Sequence, residues 1–103
     1  MKNVWIGIVE VMAAPTGSSV LQPGKAAFVK SLAYVETAVD FTTHVTELLR
    51  KLGLVPVDFI EIEEWDSYIT HFNAGESLCT CASEVRLTQE PRLLDLCTFD
   101  VEK

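Results

Sequence analysis

The run Val4–Met12 (VWIGIVEVM) is apolar at both odd and even positions until Glu10 interrupts it. Successive side chains of a strand point to opposite faces, so a run of this kind needs apolar cover on both sides. It predicts a strand in the interior of a sheet, or one whose second face meets a helix or another subunit. Gly7 marks a close backbone approach or a bulge inside that strand. Lys2, the apolar run and Ala13-Ala14 together have the outline of a secretory leader. The run is short for that role, and Glu10 falls where a leader's core stays uncharged, so it reads as structure.

The next segment, residues 13–25, holds Pro15, Gly17, Ser18, Ser19, Pro23 and Gly24 and reads as a long loop. Loops of that length in small domains are mobile or functional. Gly17-Ser18-Ser19 lacks the Gly-Lys-Ser/Thr spacing of a phosphate-binding loop. Ala26–Thr37 follows as a second strand. Phe41, Val45, Leu48, Leu49 and Leu52 then fall on one stripe of a helix spanning Phe41–Leu52. Asp40 is placed to cap it, Arg50 and Lys51 suit the negative end of its dipole, and Gly53 with Pro56 ends it. Val55–Glu64 is a third strand. Asp66, Ser67, Asn73 and Gly75 punctuate what comes next, and Asn73 with Glu76 resembles a capping box. A second helix over Glu76 to about Val85 would share Leu78, Cys81, Ala82 and Val85 on one face, although Val85–Thr88 also alternates like a strand. Leu93–Val101 is the last strand. This order, β-β-α-β-α-β, predicts an α+β fold: a two-layer sandwich with a mainly antiparallel four-stranded sheet and one or two helices on one face.

A chain of 103 residues, 49% of them hydrophobic, suits a single domain over 1–103 with its own core. The net charge of −7, from 15 acidic and 8 basic residues, repels phosphate. It argues against nucleic acid and anionic membranes and for a basic protein as the charged partner. Three cysteines cannot all pair within one chain, which points to a reducing, cytoplasmic setting.

The densest charge feature is Asp58, Glu61, Glu63, Glu64 and Asp66. On a regular strand Glu61 and Glu63 share one face, while Asp58 and Glu64 share the other with Ile60 and Ile62. A solvated strand end explains such a set most simply. The functional reading is a docking surface for a basic partner, as in immunity or inhibitor proteins that cover cationic sites, formed by Asp58, Glu61, Glu63 and Glu64 with Trp65 and Tyr68 as aromatic anchors. The apolar second face of the first strand suggests a homodimer as well.

Two rival readings remain. A pocket between sheet and helices, gated by the 13–25 loop, would make this a small-ligand or enzymatic domain. Cys79, Cys81, Cys97 and His71 offer ligands that zinc accepts, but C-x-C is not the usual C-x₂₋₄-C spacing. On a helix Cys79 and Cys81 would point about 200° apart. No acid, base and nucleophile set is legible, so the sequence leans away from catalysis, and no cofactor is expected.

Overall fold

The structure, a computed structural model, describes residues 1–13, 25–73 and 75–100. Strands β1 (Asn3–Ala13) and β2 (Lys25–Val35) are followed by helix α1 (Ala38–Lys51) and strand β3 (Leu54–Glu64). Helices α2 (Trp65–His71) and α3 (Glu76–Thr88) then lead to strand β4 (Arg92–Asp100). The strands form a four-stranded antiparallel sheet in the order β3-β1-β2-β4. The α+β sandwich read from the sequence is therefore present, with β1 inside the sheet. The expected 13–25 loop, apart from its two strand-terminal ends, lies outside the described residues, and with it the gate assigned to that loop.

The helices divide between the two faces of the sheet rather than sharing one, which corrects the two-layer expectation. β1 and β2 pair without interruption from Asn3↔Val35 to Met12↔Ala26, so their odd positions share one face and their even positions the other. Val9, Val11, Ala27, Val29, Ala33 and Val35 pack with Phe41, Val45 and Leu49 of α1. Val4, Ile6 and Leu32 pack instead with Trp65 and with Leu78, Cys81, Ala82 and Val85 of α3. The doubly apolar first strand required cover on both sides, and it receives it from different helices.

Capping sets where the helices begin and end. α1 is capped by Thr37, not Asp40: the Asp40 N–H donates to Thr37 Oγ1 at 3.1 Å. Asp40 sits inside the first turn, where a carboxylate still favours the positive helix end. Gly53 takes the left-handed conformation after the helix, with φ 73°. The capping box expected from Asn73 and Glu76 does not form, because the N-cap of α3 is Gly75 and no side chain bonds there. α3 runs on to Thr88, so Val85–Thr88 is helical, and the left-handed Gln89 closes it with its N–H on the Val85 carbonyl at 2.8 Å.

One buried polar group disagrees with its surroundings. Ser31 lies opposite Gly7 on the α1 face and is fully buried, and among the described residues its hydroxyl has no hydrogen-bond partner. An unsatisfied buried hydroxyl costs about 1–3 kcal/mol that alanine does not incur. Ser31→Ala is expected to raise stability by about 1 kcal/mol, read as a higher urea midpoint. A lower midpoint would show that the hydroxyl is bonded after all.

Candidate functional site

Among the described residues β3 is an edge strand, paired on one side only with β1. Its register slips twice: Glu10↔Asp58 is followed by Val11↔Pro56, and Ile8↔Ile60 by Ile6↔Glu63. Each slip is a bulge that places an extra residue on β3 and reverses the parity of everything beyond it. The regular-strand assignment of faces is therefore corrected. Asp58, Ile60 and Glu63 share the face that carries Ile6, whereas Ile62 and Glu64 lie on the α1 face. Glu61 occupies the second bulge with φ 53°, a left-handed backbone that glycine usually supplies.

Asp58, Glu61 and Glu64 are exposed and Glu63 is half-buried. Among the described residues, none of them has a basic group within ion-pair distance. The strand passes without a break into α2, whose N-cap is Glu64 and whose first turn holds Asp66. Acidic strand and aromatic helix are thus contiguous along the chain.

Along α2, Trp65, Tyr68 and Phe72 stack in sequence. The ring centroids are 5.7 Å apart for Trp65–Tyr68 and 4.9 Å for Tyr68–Phe72. The three residues play different parts. Trp65 is 7% exposed and belongs to the core against Val4, Ile6 and Leu32. Tyr68 is half-buried, and Phe72 is 49% exposed. Trp65 therefore supports the stack from within, and Phe72, which the sequence reading passed over, is its accessible end. The signal was present: Trp65, Tyr68, Ile69 and Phe72 follow i, i+3, i+4, i+7 helical spacing.

No known protein family, no curated protein and no solved structure matches this chain.

Among the described residues, the thiol and imidazole candidates Cys79, Cys81 and His71 do not gather into one site. Cys79 is exposed and Cys81 buried, on different sides of α3. Burial, and secondarily the Glu84 carboxylate, push the Cys81 thiol above its ordinary range, against the smaller effect of Arg92. Cys81 thus stays a protonated core residue at neutral pH rather than a nucleophile. His71 is exposed and its Nδ1 lies 3.0 Å from the Ser67 carbonyl. A carbonyl can only accept, so in this hydrogen bond Nδ1 carries the proton. Among the described residues no three His, Cys, Asp or Glu groups gather as a metal site. The side chain of Cys97 lies outside the described residues. Nor, among them, is any helix long and apolar enough to cross a membrane.

Proposed function

We propose that this chain is a non-catalytic interaction module whose docking surface is the acidic edge of β3 continued into α2, and that its partner is a basic protein. The reading allies it with immunity or inhibitor proteins that cover a cationic site. Charges on an edge strand also discourage edge-to-edge aggregation, and that alone accounts for some of them. Edge protection does not account for Glu61. A non-glycine residue in the left-handed region costs about 1 kcal/mol or more, and glycine would hold the same bulge without that strain. Strain kept at an exposed carboxylate, beside an aromatic stack with an open end, is the observation that supports a binding role.

The test needs the partner, which native mass spectrometry of protein purified from its own host can identify as a copurified basic chain. The double reversal Glu61→Lys with Glu63→Lys is expected to weaken that complex about tenfold or more, mainly through slower association and a shallower salt dependence. Thermal unfolding should be nearly unchanged. Glu61→Gly should separate the two roles, stabilising the fold by about 1 kcal/mol while still weakening the complex. Unchanged partner affinity in the double reversal would sink the assignment.

A second copy of the chain is the alternative partner. It is favoured by Met12, Phe28 and Val55, which are 37%, 39% and 44% exposed. They occupy register positions on the half of the sheet face beyond the residues that α2 and α3 cover. The same mass spectrum distinguishes this reading, because a homodimer appears at twice the chain mass with nothing else bound.

A further inference from the structure

The groove between α2 and α3 has a character opposite to the rest of the molecule. In a chain with 15 acidic and 8 basic residues, its lining contains no carboxylate among the described residues. It offers Arg86, His71, Asn73 and Ser83 as polar groups, and its volume is about 620 Å³. That volume falls among those of small-molecule sites. Trp65 and Ala82 contribute buried apolar surface to it, whereas Ile69 and Phe72 are 45% and 49% exposed.

We propose that this groove binds small organic anions, specifically a carboxylate carried on an apolar or aromatic body. The argument is charge complementarity joined to shape. Arg86 is exposed, and among the described residues no carboxylate lies within ion-pair distance of it. Its guanidinium fork matches a carboxylate with two parallel N–H donations. Side chains on a helix lean toward its N-terminus, which directs Arg86 back over the turn holding Ala82 and Ser83, into the groove both of them line. A bare inorganic anion would engage the guanidinium and leave the apolar wall wet. An apolar molecule without charge would leave Arg86 unused. Only a ligand with both parts uses both walls. The groove shares Trp65 and Phe72 with the aromatic end of the docking surface, but its anion-binding side, Arg86 and Ser83 of α3, is separate from the β3 carboxylates, so it goes beyond the docking role proposed above.

Phenylacetate is a suitable probe, with benzyl alcohol and inorganic phosphate as its uncharged and body-free counterparts. Titration into isotope-labelled protein should shift the amide signals of His71, Cys79, Ser83 and Arg86 saturably. Benzyl alcohol and phosphate should each bind about tenfold more weakly, and Arg86→Gln should weaken phenylacetate by about the same factor while leaving the rest of the spectrum in place. Phenylacetate should also slow alkylation of the exposed Cys79 by iodoacetamide. The Glu61→Lys, Glu63→Lys protein should bind the probe as the parent does, so loss of the docking role and loss of this site are read independently. Absence of a saturable shift overturns the proposal. So does benzyl alcohol or phosphate binding as tightly as phenylacetate, or Arg86→Gln binding it unchanged.

Discussion

Phe41→Ala should destabilise the protein by about 3–5 kcal/mol, a large share of the roughly 5–15 kcal/mol that holds a small domain folded. Phe41 is fully buried and is the first of three buried residues on the inner face of α1, with Val45 and Leu49. Its ring meets Phe59 of β3 edge to face, with centroids 6.4 Å apart and planes at 78°. On the sheet side the ring lies over Gly7, so no side chain at that position can relax into the space that alanine leaves. The cavity term should therefore be near its maximum, and the loss of aromatic contact adds to it. Urea unfolding of Phe41→Ala and Phe41→Leu checks this, and leucine should recover about half of the loss. A drop below about 1.5 kcal/mol for alanine would mean that α1 closes onto the sheet without the ring.

Much of the fold was legible because local patterns and tertiary packing agreed. The stripe Phe41, Val45, Leu49 appears in the structure as the buried face of α1, and Gly53 as its left-handed stop. Leu78, Cys81, Ala82 and Val85 are together the buried face of α3. The errors fall where polar residues act inside an element. Asp66 and Ser67 were read as loop chemistry, yet they are in α2, where Asp66 adds charge to the first turn and the Ser67 carbonyl accepts from His71. The layering was missed for a different reason. The alternating apolar faces of β1 required two covers, but no pattern within one strand says whether these come from one chain or two.

The candidate site was legible in its composition and illegible in its geometry. The acidic residues 58–64 were visible as a run, but which of them share a face depends on two bulges in β3. A bulge adds one residue against a partner strand, so it is a property of the pair and leaves no period in either sequence. The usual cue, a glycine at the left-handed position, is absent because Glu61 sits there. Trp65 was read as a surface anchor because it follows Glu63 and Glu64. The first turn of α2 turns it inward against Val4, Ile6 and Leu32.

Gly7→Val should cost about 2 kcal/mol or more, and it connects the core to the proposed docking edge. An added Cβ at Gly7 would lie 3.0 and 3.1 Å from the Phe41 ring and 3.2 Å from Ile62 Cγ1. Neither neighbour is a flexible tip. The Phe41 ring is fully buried, and Ile62 packs against the same cluster. Overpacking of this kind costs about 1–3 kcal/mol, and valine's two further methyls place it at the upper end. Better strand propensity returns up to about 1 kcal/mol. Gly7 also faces the interval where β3 slips register, between Ile6↔Glu63 and Ile8↔Ile60, so displacing Ile62 disturbs the backbone that presents Glu61. Gly7→Ala is the milder probe, and its cost should shrink in a Phe41→Leu background, with a coupling of about 0.5 kcal/mol or more. It should also weaken the basic-partner complex although no charge has changed. If Gly7→Ala instead loses stability equally in both backgrounds, ring and strand are not in contact there. If it loses stability and leaves partner affinity intact, Ile62 yields without moving the bulge, and the presentation of Glu61 is set by β3 alone.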